Sequence, residues 1–278
     1  MVEKLKEWFN RTGYPLEILG ESILVKNQFN VINSSLYHDP ENNISRELDL
    51  YASRTWKNKE SEISLQLDLL IECKKSDKPF ILVTSESINR KDISLGDWYG
   101  VDGPYIRILI NNDSRRIKLP SQSSVGFKLI QGFTNSDETI HKATNTVLKS
   151  FMDWIRKEED YLEYYIKDNH HVIAIPILLV DAPFYEAKLN GNDELEMKEI
   201  NSGLFEYKSK LSELYPEPFP IPIIQAGKLE ELLISIESFA TETMSLLTKN
   251  PLINIKNFHN TNVNITSNLV GNMSKKNL

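Results

Sequence analysis

The run LQLDLLIECKK at residues 65–75 constrains this chain more than any other segment. It alternates with period two, the signature of a β-strand. Leu65, Leu67, Leu69, Ile71 and Cys73 share one face; Gln66, Asp68, Leu70, Glu72 and Lys74 share the other. The stretch SRELDLYA at 45–52 alternates in the same way, with Leu48, Leu50 and Ala52 opposite Glu47, Asp49 and Tyr51. If the two strands pair with their apolar faces together, Asp49, Glu72 and Lys74 converge on one side. A slip of one residue would turn Glu72 and Lys74 away, so register decides the matter. Two carboxylates suit a hard divalent cation, and an ammonium beside them suits an attacking water and developing phosphoryl charge. That is the minimal kit of a metal-dependent phosphodiesterase.

The neighbouring segments supply a scaffold. Residues 2–11 read as a helix with Leu5, Trp8 and Phe9 as its apolar edge and Gly13 as its stop. Pro15 suits the first turn of a second helix running to about Lys26, with Glu17 beside a stripe of Leu16, Leu19, Ile23 and Leu24. Strands are expected at 28–37, 45–54, 65–73 and 80–84, with a polar hairpin loop over 58–64. Residues 86–130 are rich in turn formers and read as an insertion that lies beside the site and affects substrate choice. Ser136 can cap a long helix from Asp137 to Tyr164, and VIAIPILLV at 172–180 reads as a strand covered on both faces. A hairpin over 183–189 and 194–208, a stiff connection YPEPFPIP at 215–222 and an amphipathic helix over 228–248 follow. These pieces imply one domain over 1–250. Residues 251–278, rich in Asn and Ser, read as a flexible tail.

Composition narrows the classes. A chain of 278 residues with 40% hydrophobic and 26% charged content has the make-up of a globular protein. Its single cysteine excludes an internal disulfide framework and a cysteine-based zinc site. No apolar run approaches the ~20 residues of a membrane span, and MVEKLKEWFNRTG lacks the apolar centre of a signal peptide, so the expected location is cytoplasmic. The net charge of −7 argues against a wholly basic nucleic-acid wrapper but leaves room for a local positive channel.

Residues 14–80 resemble the PD-(D/E)XK nuclease superfamily, also called restriction-endonuclease-like. The matching pieces are YPLE at 14–17, Tyr37 with Asp39, RELD at 46–49 and IECKKS at 71–76. The resemblance implies an α/β fold with an α-β-β-β-α-β core, whose mixed central sheet is flanked by helices, and an active site on the second and third strands. It implies an endonuclease that hydrolyses phosphodiester bonds, most simply of DNA, with Asp49, Glu72 and Lys74 as catalytic residues. Mg²⁺, replaceable by Mn²⁺, would be held by Asp49, Glu72 and the main-chain carbonyl of Cys73, with Glu17 as an accessory acid. Restriction, phage defence and repair are the implied roles. Leu48 stands where the family's nominal proline precedes the aspartate.

Other residues carry weaker expectations. Lys75, Arg46, His141 and Lys142 are candidate substrate contacts. Glu47 reads as an ion-pair partner for Arg46 or Arg54, and Asp68, about 13 Å along the strand from Glu72, as no ligand. His170 and His171 read as loop residues. Trp98, Tyr99 and Tyr105 read as loop anchors or base-stacking groups. Two alternatives stay open on the same fold: a nucleic-acid binder with little or no cleavage, and a protein-interaction module. A homodimer or a protein partner is compatible with either.

Overall fold

The computed structural model describes residues 1–39, 41–85, 94–95, 117–121, 123–134, 138–159, 170–207 and 219–249. Two helices, α1 (Val2–Asn10) and α2 (Tyr14–Lys26), precede three strands joined as antiparallel neighbours: β1 (Asn30–Asp39), β2 (Ile44–Asn58) and β3 (Ile63–Lys75). Then come β4 (Phe80–Val83), β5 (Ser94–Leu95), β6 (Ile117–Lys118), β7 (Ser123–Gly126) and β8 (Lys128–Gln131). A long helix α3 (Glu138–Glu159) leads to β9 (His170–Asp181), β10 (Phe184–Leu189), β11 (Leu195–Glu199), β12 (Ser202–Tyr207) and β13 (Phe219–Gln225). After a 3₁₀ turn over Ala226–Lys228, α4 (Leu229–Lys249) closes the described chain.

A mixed seven-stranded sheet, ordered β1-β2-β3-β9-β13-β12-β7, forms the centre. Its β9 lies parallel to β3 over the whole of Ser64–Lys75. Such a pairing requires a crossover, and α3 lies on it in sequence. β9 is buried from His171 to Val180, as a parallel strand covered on both faces must be. The two faces carry different helices. On the Glu72 face of β3, Asp68 accepts a 2.8 Å bond from Trp154 Nε1 of α3. On the Leu65 face lie α2 and α4. Gly20 is required there: a Cβ on it would stand 2.9 Å from Leu50 Cδ1 and 3.1 Å from Leu179 Cδ2. That close approach brings Glu17, one turn back on α2, to the end of the sheet. Among the described residues no helix is long and apolar enough to cross a membrane.

Four sequence expectations need correction. YPEPFPIP is not only a connection, because Phe219–Gln225 forms β13 inside the sheet. The prolines fit since pairing with β9 begins only at Ile223, beyond both Pro220 and Pro222. The expected second hairpin strand at 194–208 is two strands: β11 pairs with β10 in a four-stranded sheet, and β12 enters the central sheet. The expected insertion at 86–130 is shorter, since β7 pairs with β12 and β8 pairs with β4. His170 and His171 lie on β9 rather than in a loop, with His170 Nδ1 2.6 Å from Ser64 Oγ. Trp98, Tyr99, Tyr105 and the residues from 250 onward lie outside the described residues.

Candidate active site

The register that the alternation requires is the one present. The β2–β3 ladder runs from Asn58 opposite Ile63 to Leu50 opposite Ile71 and ends there. Asp49 is therefore the first residue of β2 beyond its pairing with β3. Across from it on β1 stands Ser34, at a positive φ of 54° that interrupts the β1–β2 ladder. The strands part at this point, and the Asp49 side chain fills the gap: its Oδ2 accepts the Cys73 backbone N–H at 2.7 Å. A carboxylate thus takes the place of a strand carbonyl, which fixes Asp49 beside Glu72. Lys74 lies two residues on along the same face of β3 and donates to Glu72 Oε1 at 2.6 Å.

Glu17, half-buried on α2, completes the group. Burial raises its pKa, and the charges of Asp49 and Glu47 raise it further while Lys74 acts against them. Burial likewise raises Asp49, against the Cys73 N–H and Lys74. Glu72, only 6% exposed, is pushed up to about 7, first by burial and then by Asp49 and Glu17, against Lys74. Burial would lower Lys74, but Glu72 and Asp49 more than offset it and hold the ammonium above its usual range. One lysine thus faces several mutually repelling carboxylates, a charge imbalance that a divalent cation would relieve. Among the described residues no three His, Cys, Asp or Glu side chains stand at metal-holding distances from one another. Two carboxylates with a main-chain carbonyl and water suit Mg²⁺, which keeps several waters and takes few protein ligands.

This imbalance has a pH signature. A carboxyl whose folded pKa lies above its unfolded value stabilises the fold at low pH and loses that contribution as pH rises through the folded pKa. For Glu72 the window runs from the ordinary 4.5 to about 7. The metal-free protein is expected to lose on the order of 3 kcal/mol across it. Chemical denaturation at a series of pH values checks this: Glu72→Gln should flatten the slope, and an equal slope in that variant would contradict the assignment.

The other candidates fall into separate places. Arg46 is committed to Asp39, with Nε 2.7 Å from Oδ2. Lys75 is 3.5 Å from Asp181. His141 on α3 lies 3.2 Å from the Tyr207 hydroxyl through Nδ1, and Lys142 pairs with Glu138 on the helix surface. Neither α3 residue bonds to the Asp49–Glu72 group. The expected ion-pair role for Glu47 does not hold, since Arg46 pairs with Asp39 and Arg54 with Glu237. Glu47 instead adds its charge to Glu17 and Asp49. Its period-two spacing from Asp49 was the available signal.

The resemblance singles out Tyr37 and Asp39 but gives them no role, and nothing in the sequence points to Lys149; together they support the site. Asp39, fully buried at the end of β1, accepts from Lys149 of α3 at 2.9 Å, from Arg46 and from Asn42. Burial would raise its pKa, but these donors hold it well below the usual carboxylate range. Tyr37, two residues earlier on the same face, hydrogen-bonds Thr146 of α3 and lies close enough to Glu72 to feel its charge. Compared with models of protein families, with curated proteins and with solved structures, the chain matches none.

Proposed function

We propose that this chain is a metal-dependent endonuclease of the PD-(D/E)XK type acting on DNA. The observation that carries the reading is the parting of β2 from β3 at Asp49, which brings Asp49, Glu72, Lys74 and Glu17 together at one strand end. With β4 to β8 set aside as additions between β3 and α3, the order α2-β1-β2-β3-α3-β9, in which β3 and β9 are parallel neighbours, supports the family core.

In this reading Asp49, Glu72 and the Cys73 carbonyl hold Mg²⁺ or Mn²⁺, with Glu17 acting directly or through water. When bound, the cation polarises the scissile phosphate and supplies Lewis acidity. Lys74 orients or deprotonates the attacking water and stabilises negative charge growing on the phosphate. Asp49, pinned by the Cys73 N–H, keeps its position without reorganising during the reaction.

The test is a cleavage assay on supercoiled, linear and single-stranded DNA and on RNA, with Mg²⁺, Mn²⁺ or EDTA. Cleavage of DNA that EDTA abolishes is the expected result. Binding without cleavage under every metal condition would favour a nucleic-acid binder instead.

A further inference from the structure

Beyond Lys75 and Asp181, β3 and β9 bend and run on as β4 and β10. The Ser76 N–H donates to the Asp181 carbonyl at 3.0 Å and the Phe80 N–H to the Pro183 carbonyl at 2.8 Å, so the two parallel pairs form one ribbon. The other edge of β3 is covered by β2 up to Ile71, and the same edge of β4 is covered by β8 from Phe80 onward. Among the described residues, 72–78 therefore run without a strand beside them on this edge. Asp49 borders that gap from the β2 side, and Glu72 and Lys74 lie along it. The turn at 131–134, which follows β8, borders it from the other side, and this turn carries Phe133.

Phe133 is a poor choice for folding alone. Its φ of 56° lies in the left-handed region, where a bulky side chain is a genuine outlier. It is the one aromatic residue among the positive-φ positions described. Its side chain is 88% exposed, and of the exposed large hydrophobic groups described only Met1 is more open. The turn is nevertheless held firmly. Gln131 Nε2 donates to Ser76 Oγ at 2.7 Å, the Gly132 N–H to the Pro79 carbonyl at 2.8 Å and the Thr134 hydroxyl to the Gln131 carbonyl at 2.8 Å. Lys78 Nζ donates to the Phe133 carbonyl at 3.1 Å. A Cβ on Gly132 would stand 2.9 Å from Pro79 Cγ, so glycine is needed where the turn meets the ribbon. A strained backbone fixed by its surroundings, holding an aromatic ring in solvent beside a reactive site, is the mark of a ligand contact.

We propose that Phe133 stacks on an unpaired base of the DNA strand lying in this gap, so that the substrate is single-stranded at the scissile phosphate. The occupant rests on the nuclease reading. Pro79, on which the turn sits, is five residues from Lys74, at most about 17 Å, a span of about five stacked nucleotides at about 3.4 Å each. Every base offers a π-face to an aromatic ring, but in a paired duplex its neighbours already cover that face. A ring fixed in place therefore takes a base that is out of the stack. Lys78, exposed beside the turn, supplies positive charge for the phosphates of the same strand.

Fluorescence anisotropy of the full chain in Ca²⁺, with a labelled single strand of about 20 nucleotides and with the same sequence as a blunt duplex, tests this. The wild type is expected to bind the single strand more tightly. Phe133→Ala should lose about tenfold or more in affinity for the single strand and less than about twofold for the duplex, while Phe133→Trp keeps both. Phe133→Gly separates stacking from packing, because glycine accepts a positive φ. It should bind single strands as poorly as the alanine variant and melt no lower than the wild type. A wild type that prefers the duplex, unchanged single-strand affinity in Phe133→Ala, or equal loss on both substrates overturns the proposal. A fall in melting temperature of more than about 2 °C in Phe133→Gly also overturns it, since the ring would then be a packing group. Cleavage in Mg²⁺ by the same proteins keeps the two readings apart. A wild type that cuts DNA, with Phe133 variants that handle both substrates as it does, removes only the stacking. A wild type that binds single strands through Phe133 but cuts nothing removes only the nuclease.

Discussion

Replacing Lys74 with alanine should lower cleavage by about 10²-fold or more while leaving metal affinity largely intact. An ammonium is no metal ligand, so its loss acts on the reacting phosphate and water. Glu72→Ala should behave differently, lowering metal affinity and cleavage together. Removing Lys74 also takes away the positive charge that holds the Glu72 carboxyl down. The carboxyl then rises further, so Lys74→Ala should be compared with the wild type over a series of pH values, which separates this shift from the loss of the ammonium. Single-turnover cleavage beside a metal titration separates the two effects. Equal loss of metal binding in both variants would place Lys74 in the ligand set or in its support, against the account.

The second large effect is on stability. Asp39→Ala should destabilise the protein by about 3 kcal/mol, because it leaves Lys149, whose side chain is 10% exposed, with Glu41 alone to pair with among the described residues. In a chain of this size that is a fall in melting temperature of about 8 °C. Combining it with Lys149→Met should recover part of the loss, since the buried charge is then gone. A melting temperature within about 2 °C of wild type for Asp39→Ala would show that the network does not hold α3 to the sheet. Its loss should also reduce cleavage, since Tyr37 and α3 back the Glu72 side of the site.

Why part of this was readable in the sequence is a matter of range. Period-two alternation in 45–52 and 65–74 is local, and burial of one face fixes register, so Asp49, Glu72 and Lys74 could be brought together before any coordinates. Gly20 and Glu17 lie one turn apart on α2, but only the family resemblance singled out Glu17. Non-local pairings were not readable. Nothing within residues 194–208 says that Leu195–Glu199 and Ser202–Tyr207 belong to different sheets. Pro220 and Pro222 argue against a strand by propensity, and pairing with β12 overrides them. Asp39 meets Lys149 across 110 residues, and that ion pair leaves no periodic trace in the sequence. Glu47 lies near Arg46 and Arg54 in sequence, yet both pair with carboxylates further along the chain.

The central claim is that the strand end at Asp49 and Glu72 holds a divalent cation used for phosphodiester cleavage. The most direct measurement is calorimetric titration of Mn²⁺ into wild type and Asp49→Ala, with DNA cleavage followed on the same samples. The account predicts one site in the wild type, its loss in Asp49→Ala, and loss of cleavage with it. Undiminished metal binding and cleavage in Asp49→Ala would contradict it.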